Sequence, residues 1–481
     1  MGLGNVPRDA FFNPDGSGAD SLRDVVDKVL ESLMVVVRER AGQSPLPRSV
    51  ESHYEAFPQE GHGYDDVFAR LSGVLQDSLY PAHPGYIGHM DSIPTLMSVI
   101  GDFVAAFLNN NLLSQEMSPA LSMMETDVLR QFGQKFGLGE NSGGVMTSGG
   151  TLANLQALAL ARNRAFSVRD EGLARLGKRP VLFASEVAHT SLQKAAMLLG
   201  LGSSAVVPVR ADANSRMRPD DLEEKIRNAK ACGEAPFAVV ATAGTTVTGN
   251  IDPLREIGAL AKQYGLWFHV DAAYGGGLIF SPTQRFRLQG IEQADSVTFN
   301  PQKWMYIAKT CAMVLFKDTD LLLSDFRVAA PYMSDSDFVN LGEISVQGTR
   351  HADILKLWLS LCHIGLVGYQ QLVDHSYATT AFFVDQIRAR SYLVLAGEPE
   401  TNLCCFRGEP SFLPQDAWDE WNVELQRHLS QRGQTFLSCP GYRGGRWLRA
   451  VLLNPFTTTE VIDGVFRAMD EFYQASAAAR G

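Results

Sequence analysis

Lys303 lies one residue before the end of SVTFNPQKW, and Asp271, 32 residues earlier, one residue before the end of LWFHVDA. A lysine drawn out of water near other cationic character loses proton affinity and becomes an amine nucleophile that can condense with a carbonyl. A carboxylate leaving an apolar strand needs a partner. It can cap a helix, form a salt bridge, or hold a heteroaromatic nitrogen protonated so that a cofactor ring becomes an electron sink. Ala272 and Ala273 are small enough for a flat ring to lie against the backbone, and Asn300 shares the strand end of Lys303. His189, in ASEVAHTSLQKAA, offers an imidazole that could stack on such a ring, touch a substrate carboxylate or move a proton. A histidine that caps a helix or sits satisfied in the core would look the same. Thr245 and Thr246, in FAVVATAGTTVTGNIDP, could bond a phenolic oxygen, or could form a polar turn with Gly244 and Gly249. Ser148-Gly149-Gly150-Thr151 lies between an apolar run and a helical stretch. Main-chain N–H groups and a helix dipole there would favour a phosphate, although an ordinary tight turn has the same composition.

These residues sit at the ends of short apolar runs, and the runs define the scaffold. From position 144, GVMTS, PVLFAS, AVVPV, FAVVATA, LWFHVDA, SVTFN and AMVLF alternate with helical stretches. That alternation predicts an α/β fold with a mostly parallel sheet covered on both faces. Its ligands belong at the carboxyl ends of the strands. The spacing between Asp271 and Lys303 suits one strand–helix–strand unit of ~30 residues, so both should project from neighbouring strand ends into one crevice. Residues 1–80 read as amphipathic helix, with Leu22, Val25, Val26, Val29 and Leu30 in a stripe, and residues 81–140 as a Pro-rich entry and two helices. A long helix is expected from HADILKLWLSLCHIG, then strand, helix, strand, helix over about 390–475 (LVLAG, DAWDEWNVELQRHL, RWLRAVLL, TEVIDGVFRAMDEF), a small α+β domain.

The chain has 481 residues, 45% of them apolar, and a net charge of −11. Its length exceeds one compact core. The acidic balance argues against a nucleic-acid or anionic-membrane surface. No run reaches the ~18 apolar residues of a transmembrane helix. The opening MGLGNVPRDAFFNPDGSG lacks the basic start and apolar run of a secretory signal, so a cytoplasmic location is expected. Six scattered cysteines read as thiols in a reducing compartment, without metal-binding spacing.

As a set, TSGGT, SEVAHTS, TAGTTVTGNIDP, HVDAAYGG, NPQKW and QGTRHADILKLW resemble the group II pyridoxal-phosphate-dependent amino-acid decarboxylases in order and interval. The likeness runs from HPGYIGHM to WLRAVLLNP. It implies a fold-type-I, aspartate-aminotransferase-like subunit with a seven-stranded sheet, an N-terminal dimerisation segment over 1–100, a large cofactor domain over 101–385 and a small C-terminal domain over 386–481. It also implies a homodimer with active sites at the interface, pyridoxal 5'-phosphate as cofactor and conversion of an L-amino acid to its amine and carbon dioxide. By the same resemblance Lys303 carries the cofactor, Asp271 partners its ring nitrogen and His189 stacks on the ring. Gly149, Gly150, Thr151 and Asn300 hold the phosphate, while Thr246 and Ala273 touch the ring.

Two positions depart from the family pattern. Gln302 stands where relatives carry histidine before the lysine, and an amide cannot shuttle a proton. In the loop before QGTRH, where relatives place a proton-donating tyrosine, the count falls on Phe338 or Val339, and the nearest tyrosine is Tyr332. Within the family, phenylalanine at that place accompanies aldehyde synthesis by decarboxylation and oxidative deamination, so aldehyde is the alternative product. Tyr332 or His189 would otherwise supply the acid. The resemblance also places GYIGHMDSIP against the substrate side chain. Asp91 there could meet a cationic group or cap the next helix, Met90 would suit an aliphatic or thioether chain, and His89 completes the set with Phe338. With no strong basic patch in view, glutamate and aspartate are not the favoured substrates.

Overall fold

All seven apolar runs become strands of one sheet. The computed structural model describes residues 10–479 apart from 12, 14, 48–49, 51, 53–55, 92, 330–337 and 433. Four helices precede the sheet: α1 (Ala19–Arg40), α2 (Tyr64–Gln76), α3 (Leu96–Leu108) and α4 (Pro119–Lys135). The strands are β1 (Gly143–Thr147), β2 (Pro180–Ser185), β3 (Val206–Val209), β4 (Ala235–Thr242), β5 (Trp267–Asp271), β6 (Ser296–Phe299) and β7 (Ala312–Phe316), in the order β1-β7-β6-β5-β4-β2-β3. β7 pairs antiparallel with β1 and β6, and the other pairings are parallel. Six strands therefore point one way, and their carboxyl ends open along one edge of the sheet.

Crossover helices α5 (Gly150–Phe166), α6 (Ser191–Leu198), α7 (Pro219–Ala231) and α8 (Leu254–Tyr264) cover both faces. The two-residue strand period divides the core accordingly. Along β2, Val181 and Phe183 join one apolar cluster with α4, α7 and α8, whereas Leu182 and Ala184 join another with α5 and α6. After the sheet come α9 (Asp320–Asp325) and α10 (Asp353–Arg388), the latter broken at Gly365, whose φ of 69° is left-handed. The helical run expected from HADILKLWLSLCHIG ends at that glycine. α3 passes through position 100 and α10 through position 385.

The C-terminal part holds β8 (Leu393–Leu395), β9 (Leu403–Gly408), α11 (Trp418–Gln431), the short pair β10 (Gly441–Tyr442) and β11 (Gly445–Arg446), β12 (Leu448–Val451) and α12 (Thr459–Ala478). The expected strand–helix–strand–helix order omitted β9, which is the central strand, paired antiparallel with both β8 and β12. Its run LCCF is short and flanked by Thr401, Asn402 and Arg407, so periodicity alone does not mark it. Leu393, Phe406, Leu425 and Phe466 join its sheet and two helices in a separate core.

Two buried charge clusters tie the helices to the sheet edge. Lys356, on α10, is buried and places Nζ 2.9 Å from carboxylates of both Asp102 and Asp353, pinning α10 to α3. A Cβ at Gly101 would come within 2.5 Å of the Lys356 Cα, so this crossing requires glycine. Arg350 forms a buried ion pair with Glu125 of α4 and donates to the carbonyl of Met146 at 3.3 Å, while Glu125 Oε1 accepts the Met146 N–H at 2.9 Å. The pair thus fastens α4, β1 and the start of the α10 segment together, directly beneath the Ser148–Thr151 turn.

Breaking such a pair leaves an uncompensated buried charge. Arg350→Ala is expected to cost about 3–5 kcal/mol in denaturant unfolding. The double change Glu125→Leu with Arg350→Met should recover most of the loss. A single variant as stable as the parent would show that the pair does not fasten these elements.

Candidate active site

Five strand ends converge on one cleft of about 480 Å³. β1 delivers Ser148, Gly149 and Gly150, β2 leads to His189, β4 to Thr246, β5 to Asp271 and Ala273, and β6 to Asn300 and Lys303. Every cofactor-binding residue expected from the sequence lines this cleft, Thr151 included. A larger apolar cavity of about 590 Å³ lies between α4 and α10 and contains none of them.

Asp271 is buried at the last position of β5. Its Oδ2 accepts from Asn154 Nδ2 at 2.8 Å, and its Oδ1 accepts the Ala273 N–H at 3.1 Å. β6, adjacent to β5, carries Lys303 in the turn that follows it. Burial lowers the proton affinity of the Lys303 amine, against the opposing pull of Asp271 and Asp91, and Arg449 and Lys309 lower it further. The amine sits 6.0 Å from the centre of the Tyr274 ring, which stacks on Trp304 at 5.0 Å. His189 accepts the Ser191 N–H on Nδ1 at 3.2 Å. Desolvation pushes its proton affinity below that of a free imidazole, partly offset by Asp271.

The turn after β1 fits a phosphate. Gly150 opens α5, and a Cβ there would stand 3.1 Å from Asn300 Nδ2 and 3.2 Å from its Oδ1, so only glycine leaves this wall open. Asn300 Oδ1 is buried and has no hydrogen-bond partner among the described residues. That oxygen can only accept, so the groups able to donate to an anion here are the Asn300 NH₂ and the main-chain N–H groups at the start of α5. These observations match the phosphate end of pyridoxal 5'-phosphate, with Asp271 and Lys303 deeper in the same cleft.

Gln302 lines the cleft, and its Oε1 accepts the Cys311 N–H at 2.7 Å, closing the turn that enters β7. The segment expected at the substrate side chain divides. Met90 is buried in the main core. Asp91 pairs with Lys309. His89 accepts on Nδ1 from Arg449 Nη2 at 2.8 Å, and partial desolvation and that guanidinium lower its proton affinity. Phe338 is 52% exposed and does not line the cleft, and Tyr332 lies outside the described residues.

Sequence reading missed Arg449, Asn154 and His269. Arg449 arrives from β12 and is 7% exposed. It donates to the carbonyls of Thr246 at 2.6 Å and Gly88 at 3.0 Å, and through Nε to Ser438 Oγ at 2.9 Å. A lone cation inside the apolar run WLRAVLL was the available signal. Asn154 and His269 carried a weaker one, as polar residues on an otherwise apolar helix and strand.

Residues 47–409 match the family model described as the pyridoxal-dependent decarboxylase conserved domain. The chain is 33% identical to the aspartate 1-decarboxylase of Aliivibrio fischeri over 95% of this chain and 92% of that protein. It is also 33% identical to the cysteine sulfinic acid decarboxylase of Mus musculus, over 84% and 85% of the two chains. The crystal structure of mouse CSAD in apo form superposes with a TM-score of 0.86 at 29% identity, covering 94% of this chain and 99% of that one. Among the described residues no helix is long and apolar enough to cross a membrane. The chain belongs to the pyridoxal-dependent decarboxylase family, as a carboxy-lyase that uses pyridoxal 5'-phosphate to convert an amino acid to its amine and carbon dioxide.

Proposed function

We propose that Lys303 carries the cofactor covalently, that Asp271 faces its ring nitrogen, and that the substrate is a short acidic amino acid of the aspartate or cysteine sulfinate class. The observation that carries the substrate class is Arg449. It is a buried guanidinium, and among the described residues no carboxylate forms an ion pair with it. A buried cation without a counter-ion is costly, and a substrate carboxylate would supply one. Lys309 adds a second positive charge, partly spent on Asp91. The relatives named for aspartate, for cysteine sulfinic acid and for acidic amino acids agree with that chemistry. This replaces the expectation that acidic substrates are not favoured, which weighed only the cations near the motifs and overlooked one brought in by the small domain.

The bound cofactor supplies an electron sink for the bond to the departing carboxylate. The protein's own residues do the placing. The Gly149-Gly150-Thr151 turn and Asn300 hold the phosphate. Thr246, Ala273 and His189 would hold the ring, and Asp271 would be the partner of its nitrogen. Arg449 holds a substrate carboxylate, and its hydrogen bond to His89 fixes that imidazole as an Nε2–H donor, because a guanidinium can only donate.

The active form is a homodimer, built through residues 1–100 and the rest of α3, with the large domain over 101–385 and the small one over 386–481. α3 buries Ser98, Gly101 and Ala105 on one side and exposes Leu96, Val99, Ile100, Phe103 and Phe107 on the other. On α1, Leu30, Leu33 and Met34 are likewise exposed within one chain. Apolar stripes of this extent mark interfaces. All six cysteines are unpaired, which accords with a cytoplasmic location.

Borohydride treatment of the holoenzyme should fix the cofactor to the peptide containing Lys303, as read by mass spectrometry, and Lys303→Ala should yield no reduced adduct. A reduced adduct in that variant would overturn the assignment. In a panel of L-amino acids, with amine, aldehyde, ammonia and oxygen followed, aspartate or cysteine sulfinate should give the highest kcat/KM, with amine as product. Arg449→Met should raise KM for the acidic substrate roughly 10- to 100-fold, the worth of a hydrogen bond to a charged group. Preference for an aromatic or basic amino acid would overturn the substrate class, and stoichiometric aldehyde with oxygen uptake would favour the alternative product. The wild-type protein should sediment as a dimer and Phe103→Asp as a monomer, whereas a variant that still sediments as a dimer would rule out this face.

A further inference from the structure

One buried titratable side chain has no place in the scheme above. His269 is fully buried on β5 and, two residues before Asp271, points to the same side of the sheet. Its Nδ1 lies 2.8 Å from Ser296 Oγ and its Nε2 lies 3.0 Å from Asn154 Oδ1. Asn154, on α5, is 1% exposed and sends Nδ2 to Ser191 Oγ at 2.9 Å and to Asp271 Oδ2 at 2.8 Å. Trp267 Nε1 donates to Ser296 Oγ at 2.8 Å.

The donor order in this chain follows from Asp271, with the Thr298 hydroxyl a more distant neighbour of His269 Nε2 at 3.4 Å. Ionised Asp271 can only accept, so Asn154 must turn its NH₂ toward it, and both amide hydrogens are then committed. Rotating the amide by half a turn would set two oxygens against each other at Asp271 Oδ2. Asn154 Oδ1 is therefore the acceptor toward His269, whose proton must lie on Nε2. His269 Nδ1 then accepts, and the Ser296 hydroxyl donates to it while itself accepting from the Trp267 indole. Burial pushes the proton affinity of His269 down to about 4, against the opposing influence of Asp271, so the neutral ring required by this order is the one present at neutral pH.

We propose that Asn154 and His269 are positioning residues for Asp271, acting through a one-way hydrogen-bond chain that starts at the Trp267 indole and ends on Asp271 Oδ2. The chain holds the carboxylate in one rotamer at the mouth of β5. Oδ2 accepts from the amide and Oδ1 from the Ala273 N–H, and Asp271 lines the cleft. This inference rests on the reading that Asp271 faces the cofactor ring nitrogen, and it adds what keeps it there.

The test is a double-mutant cycle read by cofactor affinity rather than turnover. Full-length apoenzyme is titrated with pyridoxal 5'-phosphate, and visible circular dichroism of the bound cofactor reports how firmly its ring is held. Asn154→Leu, nearly the same size, should weaken binding about 10-fold or more, the effect of losing a hydrogen bond to a charged group, and should diminish the dichroic band. In an Asp271→Ala background the same change should alter affinity less than about 2-fold, because residues acting through one another are not additive. Equal losses in both backgrounds would overturn the proposal, since a merely structural role does not depend on the carboxylate. If Asn154→Leu does not fold, Ser296→Ala deletes one oxygen farther along the chain and carries the same cycle. It should weaken binding about 3-fold with Asp271 present and not without it, and equal losses in the two backgrounds would again overturn the proposal. If Asp271→Ala alone leaves cofactor affinity and dichroism unchanged, the failure lies in the role given to Asp271.

Discussion

The site depends on a carboxylate held at the end of a fully buried strand with no cation in hydrogen-bonding contact among the described residues. Asp271 is satisfied by neutral donors, the Asn154 amide and the Ala273 N–H. This leaves it available to a ligand, because a directly bonded arginine would satisfy it and close the site. Meeting the requirement shapes much around it. α5 must begin at Gly150 so that its first turns lie over β5 and bring Asn154 within reach, and the same start leaves the helix N-terminus beside Asn300 for an anion. One helix thereby serves both ends of the cofactor site, its first residues at the phosphate and its second turn at the ring partner.

The small domain is fastened to this centre by polar contacts as well as by packing. Arg449 of β12 bonds the Thr246 carbonyl of the large domain and the Gly88 carbonyl of the N-terminal segment. Tyr274 donates to Asn402, and Tyr306 donates to the Leu453 carbonyl at 2.8 Å. All three parts of the chain therefore meet within a few residues of Lys303. In the proposed assignment the residue that recognises the substrate's second carboxylate also joins the domains, so losing it would disturb both specificity and the closure of the cleft.

Much of this was legible in the sequence, for a physical reason. Strands buried on both faces must be continuously apolar, and the seven runs stand out against amphipathic helices. Residues at the carboxyl ends of such runs converge by topology alone, which is why Lys303, Asp271, His189 and Asn300 could be grouped before any coordinates. Less legible was anything set by tertiary contact. β9 hides in a short run with polar flanks. Met90 looked like a pocket residue and is core. The side-chain oxygen of Gln302 holds the turn into β7, a structural contact that local sequence does not mark. Arg449 lies 146 residues beyond Lys303, and no local period connects them.

Four charged side chains act on the Lys303 amine. Asp271 and Asp91 favour the ammonium form, while Arg449 and Lys309 oppose it, and each sign is represented twice. With those contributions set against one another, desolvation decides, and it lowers the proton affinity of the amine. A lysine so placed is a better nucleophile near neutral pH than one in water. The same balance leaves the cleft directional. Asp271 ends β5, Arg449 belongs to β12, and Lys309, between β6 and β7, pairs with Asp91 of the N-terminal segment. In the proposed assignment, the side-chain acid of the substrate would be drawn toward the cations and its amino group left toward Lys303. The amine would then reach the lysine-bound cofactor with the departing carboxylate on the same carbon beside it, and only the side-chain acid would be held apart.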